Sequence, residues 1–296
     1  MRYNIKPNSF AKVKRNHLIF GTLYLLFGLF IFIGSFTIRA VKAFTPSLYT
    51  DYIAYTRVSG QYPWNSIYQI TVDMTNRLIL IFEKVPFMLI VGIILILSAV
   101  IHIIVILKKV NANYNSNLQL GVVRSRAIEG MITSVLLPLL AILIGVNDTS
   151  VILLLLVLGI VYNFLSLSME QVNSKQEKSS WGNFIAMCLI FIFSAGSLVI
   201  TILKQLEIQQ TLIDNATISL PYLKNFNFIV LGIYFGFWFI SLINTFLQHK
   251  KVAFWKNPVF VENVNIVLGF VTKVAIVFML FYGLVNKLFT IYYTNL

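Results

Sequence analysis

The sequence places one lysine deep inside an apolar stretch, where an amine can take part in chemistry that surface lysines do not perform. Lys273 has nine residues before it and eleven after it in the apolar run 264–284. From there its ammonium would have to cover about 15 Å to reach water, at 1.5 Å of helix per residue. An unpaired charge at such a depth in a membrane costs about 2.5–3.5 kcal/mol. The lysine therefore needs a partner, a water-filled cavity or a covalent modification.

An acidic partner for this amine is available in an earlier apolar run. We expect the third helix to begin near Leu118 and the seventh near Glu262, so that Glu129 and Lys273 each lie eleven residues inside, at a depth of about 16 Å. Burial disfavours a charged amine, and the neutral amine is the form that condenses with an aldehyde. The protonated product is again a cation and needs a carboxylate. The pair predicts a covalent aldehyde site, with a structural ion pair as the alternative.

Other polar residues share helix faces with this pair. Arg126 precedes Glu129 by one turn and Thr133 follows it by one turn, which predicts a hydrogen-bonded column on one face of the third helix. The alternative is a surface pair of Arg126 and Glu129 at the membrane edge. In the second apolar run Ser98 and His102 are four residues apart and face the same way. A lone histidine in such a run is more often an interior hydrogen-bonding group than a ligand.

The sequence offers no pattern for a metal centre or for a common enzyme. Its three histidines, His17, His102 and His249, stand in separate places, so we expect no metal site. Neither a P-loop nor a GxGxxG, HExxH or GxSxG motif is present. The single cysteine, Cys188, excludes an intramolecular disulfide. Because none of the enzyme motifs is present, we expect a protein that is not an enzyme.

The composition identifies the environment that must position these residues. The chain of 296 residues is 58% hydrophobic and 15% aromatic, with 23 basic and 10 acidic residues. The charges are clustered and leave apolar stretches of about 20 residues, each long enough to cross a bilayer as a helix. In a soluble protein the net charge of +13 would suggest nucleic acid, but here the basic residues flank apolar runs. The composition predicts a protein of the lipid bilayer that does not bind nucleic acid.

The apolar runs predict an all-α membrane protein with one domain, residues 1–296, of seven spans. Counted by side, 14 Lys and Arg residues flank the spans on the side of the N-terminus and eight on the other side. Five of these eight belong to the long segment 39–84, which counts weakly. The N-terminus is therefore predicted to be cytoplasmic and the C-terminus extracellular, in the cell membrane. The predicted spans are 17–38, 85–107, 120–145, 150–169, 181–203, 226–247 and 262–289.

The segment 39–84 is too long for a plain turn between two spans. It contains two stretches in which apolar and polar residues alternate, 52–58 and 66–74. Between them lies Ser-Gly-Gln-Tyr-Pro-Trp-Asn, which is rich in turn residues. This pattern predicts a β-hairpin in the first extracellular loop.

Taken together, these motifs resemble those of the heliorhodopsin family over spans two to seven. The family has an inverted membrane orientation and a long first extracellular loop, which agrees with the charge count and the loop length above. The motifs that carry the resemblance are Arg126-Ala-Ile-Glu129 with Thr133, Ser168-Met-Glu170-Gln-Val-Asn173, the stretch 237–248, Glu262 eleven residues before Lys273, and the pair Ser98 and His102.

The resemblance implies a role for each candidate residue. Lys273 would carry retinal, all-trans in the dark, as a protonated Schiff base, and Glu129 would be its counterion. Thr133 occupies a position near the Schiff base where the family usually has serine. The resemblance also places Ser98 and His102 in a polar network on the cytoplasmic side. Trp238 or a neighbouring aromatic residue would pack on the polyene.

Two glycines depart from the family's pattern. Gly269 lacks the usual hydroxyl one turn before Lys273, and Gly130 follows Glu129 where a larger residue is common. Both departures bear on the hydrogen bonding and the colour of the chromophore, but not on the covalent linkage itself.

The resemblance favours a light sensor that signals by a change of conformation without ion pumping, as a homodimer with an unknown signalling partner. Outward proton pumps of the microbial rhodopsin class carry a second carboxylate eleven residues after the first in the third span, where this chain has Leu140. A light-gated proton or ion conductance is the first alternative, because Ser98, His102 and Glu129 form an inward polar track with Arg126. The second alternative is a non-chromophoric membrane scaffold or transporter.

Overall fold

A computed structural model of the chain describes residue 3 and most of the remaining sequence. In this part of the chain α-helices dominate, and a two-stranded sheet follows the first two of them. The described ranges after residue 3 are 7–43, 45–46, 48–57, 72–82, 84–143, 146, 148–176, 179–215 and 221–286.

Seven helical segments among the described residues are long and apolar enough to cross a membrane, which confirms the predicted seven-helix class. Several begin or end outside the predicted apolar runs, because a helix need not be apolar where it leaves the hydrocarbon. The first span, for example, starts at Asn8 rather than residue 17. The elements are α1 Pro7–Thr37, α2 Arg39–Ala43, β1 Leu48–Arg57, β2 Val72–Phe82, α3 Phe87–Ile106, α4 Lys108–Gln119, α5 Arg124–Thr133, α6 Leu136–Leu143, α7 Thr149–Lys175, α8 Gly182–Asn215, α9 Pro221–Lys250, a 3₁₀-helix Ala253–Lys256 and α10 Pro258–Val285.

The third span consists of two helices, α5 and α6, with a turn at residues 134–135 between them. Pro138 accounts for the interruption, because it has no N–H to donate to the carbonyl of Ser134 and its ring crowds that carbonyl. Leu137 N donates to Ser134 O at 3.1 Å instead, in a tighter turn. The apolar run 120–145 was predicted as one span, and within it the structure gives a single candidate span, Arg124–Ile142, that contains this turn.

A β-hairpin joins α2 to the second span. Strands β1 and β2 pair antiparallel, from Leu48 opposite Phe82 to Arg57 opposite Val72. The first strand overlaps the predicted stretch 52–58. The second begins six residues later than the predicted stretch 66–74, of which residues 66–71 lie outside the described part of the chain.

The main apolar core lies between α1, α3, α6, α7, α9 and α10. Leu95, Leu140 and Leu280 are fully buried there. On the outside of the bundle large apolar side chains are exposed, including Phe193 and Phe278 at 67% and 64%. This distribution is typical of a bundle surrounded by lipid, where the outer surface need not be polar.

Two glycines allow the first two spans to pack closely. A Cβ atom on Gly92 of α3 would lie 3.0 Å from the backbone N and Cα of Phe32 in α1. A Cβ atom on Gly28 of α1 would lie 3.0 Å from the backbone N of Ile96. Because backbone atoms cannot move aside as a flexible side chain can, α1 and α3 must separate to admit a larger residue.

Gly92→Ala is therefore expected to destabilise the protein by about 1–3 kcal/mol, although alanine is the better helix former. The measurement is the midpoint of thermal unfolding of purified protein in detergent. The matched control is Gly236→Ala in α9, where a Cβ atom would meet nothing within 4 Å. If both variants melt at the wild-type temperature, close packing at Gly92 does not limit stability.

Candidate functional site: a buried lysine and its carboxylate

Lys273 of α10 contacts a carboxylate in the interior of the bundle. The residue is 8% exposed, and its Nζ donates to Oε1 of Glu129 in α5. The same Nζ lies 3.4 Å from Oγ of Ser98 in α3 and 4.9 Å from the ring centre of Tyr24 in α1. Four helices thus contribute to the surroundings of one amine, and a carboxylate, a hydroxyl and an aromatic face offset its burial.

The two residues meet, although the helix starts assumed from the sequence are wrong. Residues 108–119 form the separate helix α4, and a turn with Gly121 at φ 72° precedes the start of α5 at Arg124. α10 starts at Pro258, where the side chain of Asn257 accepts a hydrogen bond from Val259 N at 2.9 Å. Glu129 is therefore five residues into its helix and Lys273 fifteen.

Side-chain length reconciles these different depths. Near the start of the same two helices Arg126 Nη1 donates to Glu262 Oε2 at 2.9 Å. Between the two contacts α10 advances eleven residues, about 16 Å, whereas α5 advances three residues, about 4.5 Å. Side chains tilt toward the N-terminus of a helix, so the long side chains of Arg126 and Lys273 together make up the remaining distance of about 12 Å.

Glu129 also faces a chain of hydrogen-bonding groups that begins at His102. Its Oε2 lies 3.4 Å from His102 Nε2, and His102 Nδ1 lies 2.8 Å from Nδ1 of His17 in α1. His17 Nε2 lies 3.0 Å from the hydroxyl oxygen of Tyr114 in α4, which donates to Glu262 Oε1 at 2.8 Å. The chain connects the carboxylate beside Lys273 with a second buried carboxylate.

The order of the donors follows from the last contact in this chain. Tyr114 donates its proton to Glu262, so its oxygen accepts from His17 Nε2–H, and His17 Nδ1 accepts from His102 Nδ1–H. His102 Nε2 makes the remaining contact, 3.4 Å from Glu129 Oε2. The contacts run without a break from Glu129 to Glu262.

The guanidinium of Arg126 pairs with two buried carboxylates on other helices. It pairs with Glu262 of α10 and with Oε1 of Glu170 of α7, and these acids are 2% and 3% exposed. Glu170 Oε2 also accepts from Val123 N at 2.9 Å. Neither the predicted column nor the alternative surface pair forms, because Arg126 turns away from Glu129 and Thr133 Oγ1 donates to Gly130 O of its own helix at 3.3 Å.

Sequence reasoning missed four members of this network. It gave no role to His17, Tyr114, Glu170 or Glu262, and the expectation that the histidines stand apart is wrong for His17 and His102. One sequence signal was available for His17. Proline favours the first turn of a helix, so Pro7 indicated a helix start that puts His17 ten residues inside α1. Among the described residues no group of three or more His, Cys, Asp or Glu is arranged to hold a metal ion.

A cavity of about 210 Å³ extends from this pair between α5, α7, α9 and α10. Lys273, Glu129 and Thr133 line it together with Trp238. Trp238 is packed edge-on against Tyr162, with ring centres 5.2 Å apart. The remaining aromatic lining residues are Tyr234 and Phe237, and the remaining polar ones include Arg126, Ser134, Asn163, Ser166, Glu170, Ser241, Thr245, Asn265 and Thr272.

Gly269 and Gly130, the two glycines that depart from the family's pattern, both line this cavity. A Cβ atom on Gly269 would meet nothing within 4 Å, so the missing side chain leaves open space one turn from Lys273. At Gly130 a Cβ atom would overlap the carboxamide of Asn163, which packs directly against the glycine. Asn163 therefore occupies the place that a larger residue after Glu129 would take.

The arrangement fits an aldehyde with a long apolar body. The amine would form the covalent link, the carboxylate would balance the charge of the protonated product, and the aromatic side chains would pack on the body. All six residues singled out from the sequence belong to it: Lys273, Glu129, Thr133 and Trp238 line the cavity, and Ser98 and His102 contact the pair from α3.

Comparison with known proteins gives one family. The model of the Heliorhodopsin family matches residues 22–285, most of the chain. The match contains all six residues singled out from the sequence and ends at the last residue of α10. Among curated proteins none matches the chain.

Proposed function

Because the chain belongs to the heliorhodopsin family of retinal-binding membrane rhodopsins, we propose that it is a light-sensing photoreceptor whose retinal is carried by Lys273. The observation that carries this proposal is the contact between the Lys273 amine and the Glu129 carboxylate at the wall of an aromatic-lined cavity. When bound, retinal supplies visible absorption and an isomerisation driven by light. Membership of this family sets aside the non-chromophoric scaffold or transporter.

Each residue around the amine has a part in this proposal. Lys273 would hold retinal covalently through its amine, as a protonated Schiff base. Glu129 is its counterion, and Ser98 and His102 hold the carboxylate and the nitrogen in place through their contacts. Thr133 and Trp238 line the cavity that receives all-trans retinal, with Trp238 against the polyene.

The signal begins with a change in the position of charge at Lys273. Glu129 contacts His102, which is hydrogen-bonded through His17 toward Tyr114, so a shift of the cation relative to Glu129 alters the charge that faces His102. The change reaches Glu262 and Arg126, where α4, α5, α7 and α10 meet. A helix bundle with two arrangements at that junction would convert light into a conformational signal.

The membrane arrangement follows the positive-inside rule. Residues 1–296 form one domain with a cytoplasmic N-terminus and an extracellular C-terminus, which places the β1–β2 hairpin outside and α4 inside. The chain acts as a homodimer in the cell membrane, and it is not an enzyme.

A light-gated proton conductance is the second candidate, because the chain from Glu129 to Glu262 is continuous. The part of the bundle on the far side of Lys273 argues against a conductance, because it is apolar. Beyond Lys273, α10 presents Ile276 and Leu280 to the core, both fully buried, and α6 presents Leu137 and Leu140. An apolar constriction of this kind excludes water and ions.

We therefore expect no steady light-evoked current under voltage clamp from cells that express the protein with all-trans retinal. The same protein should show a visible band that bleaches and recovers under illumination. Cells expressing Lys273→Ala are the control. A reproducible current absent from that control would overturn the sensor in favour of the conductance, and His17→Phe should then abolish the current.

A further inference from the structure

A second cavity, of about 50 Å³, lies at the end of the bundle where α7 and α9 end and α10 begins. Glu170 lies in the wall of both this cavity and the larger one that contains Lys273. None of the six candidate site residues lines it. We name it the basic-end cavity. Its lining residues are Tyr3, Leu120, Gly121, Glu170, Asn173, Ser174, Gln176, Ser179, Gln248, His249, Lys251, Trp255, Lys256, Pro258 and Val261.

His249 in its wall carries an unpaired donor. The side chain is 7% exposed, and its Nδ1 lies 3.0 Å from the amide nitrogen of Asn173. Because Asn173 Nδ2 can only donate, Nδ1 accepts and the neutral ring has its proton on Nε2. Nε2 is buried without a hydrogen-bond partner among the described residues. A buried donor without an acceptor is costly, which points to a ligand that accepts hydrogen bonds.

The other free donors at this cavity are also suited to an anion. Lys251 and Lys256 both line it, in the loop that joins α9 to α10. A phenol is protonated at neutral pH, and burial raises the pKa of Tyr3 further, so Tyr3 presents a hydroxyl donor. Two ammonium groups, an imidazole N–H and a phenol O–H therefore surround one small space.

The acidic residue in the wall does not cancel this charge. Glu170 is already paired with Arg126, and its oxygens also accept from Val123 N at 2.9 Å and from Gln248 Nε2 at 3.4 Å. Arg126 has one positive charge, which Glu170 shares with Glu262, so these three groups together keep one negative charge. The two positive charges of Lys251 and Lys256 exceed it.

We propose that the basic-end cavity binds a small oxyanion, a phosphate group, through His249, Lys251, Lys256 and Tyr3. The volume has room for roughly four water-sized groups, which suits a compact oxyanion and not a nucleotide. Binding of phosphate in the basic-end cavity does not depend on the proposed function as a photoreceptor. Since Glu170 borders both cavities, an anion here would bind beside the partner of Arg126 and so beside the proposed signalling junction.

The experiment is calorimetric titration of the full chain in dodecyl maltoside with inorganic phosphate, at fixed ionic strength and pH 7.5. Saturable binding is expected, and Lys251→Gln and Lys256→Gln should each weaken it about tenfold, since each removes a charged hydrogen bond. His249→Gln is expected to weaken it as well. Both lysine variants change residues that are not buried, so they test the proposal even if the histidine variant does not fold.

Lys250→Gln is the matched control. It removes the same charge one residue away, but Lys250 lies over the ring of Phe246 and does not line the cavity. A parallel titration with dihexanoyl phosphatidic acid separates a lipid phosphate from a free one. Binding of inorganic phosphate supports a soluble ligand, and binding of the lipid alone, with the same pattern of variants, supports a headgroup.

Two results would overturn the proposal. One is the absence of saturable binding for both phosphate and phosphatidic acid. The other is a loss in Lys250→Gln as large as the loss in Lys256→Gln, which would indicate diffuse attraction to a basic surface.

Discussion

Lys273→Ala is expected to remove the visible absorption band of the retinal-loaded protein completely. Alanine has no amine, so no Schiff base can form, and free retinal absorbs in the near ultraviolet. The measurement is the absorption spectrum of protein purified from cells supplied with all-trans retinal. The wild type should be coloured, and a colourless wild type would contradict the proposed function.

Removal of Lys273 leaves Glu129 without its cation, and this variant is at risk of failing to fold. Lys273→Arg keeps a positive charge beside Glu129 but cannot form the linkage, so it should fold and still be colourless. Lys250→Ala, at an exposed position, should keep the colour. A visible band of wild-type intensity in Lys273→Arg would move the attachment to another residue.

Glu129→Gln is expected to change the spectrum more than any other single replacement of a buried carboxylate. A carboxylate beside the Schiff base holds the positive charge near the nitrogen. Without it the charge spreads along the polyene and the visible band moves to longer wavelength, while molecules that lose the proton absorb in the near ultraviolet. The measurement is the absorption spectrum between pH 5 and pH 10.

The matched controls are Glu170→Gln and Glu262→Gln. Both acids are more buried than Lys273, but both pair with Arg126 and not with the amine. Their spectra should shift much less than that of Glu129→Gln. A spectrum unchanged in Glu129→Gln and strongly shifted in Glu262→Gln would identify Glu262 as the counterion.

Much of the architecture was predictable because membranes impose simple local rules. Apolar length gives a span, so the number of spans in the described chain followed from counting residues. The break at residues 134–135 was also within reach, since Pro138 stands inside the third run. The start of α5 was not, because α4 continues the helical pattern to Gln119 before the turn.

The site was predictable only in part, for a related reason. The scarcity of interior charge singled out Lys273 and Glu129, and the structure brings them into contact. The same reasoning assigned Glu170 and Glu262 to the ends of spans, whereas both are buried. An acid near the end of a helix is buried when another segment covers it, as α4 and Arg126 do here.

By itself the sequence determined the bilayer as the environment and the number of spans, and it singled out the pair of residues proposed to bear chemistry, because each depends on composition and on position along one helix. Only the tertiary structure decided that Arg126 pairs with Glu170 and Glu262, and that His17 joins His102 to Tyr114. These contacts depend on how far each helix is shifted and rotated against its neighbours, and on how far a long side chain reaches. No local periodicity encodes these quantities.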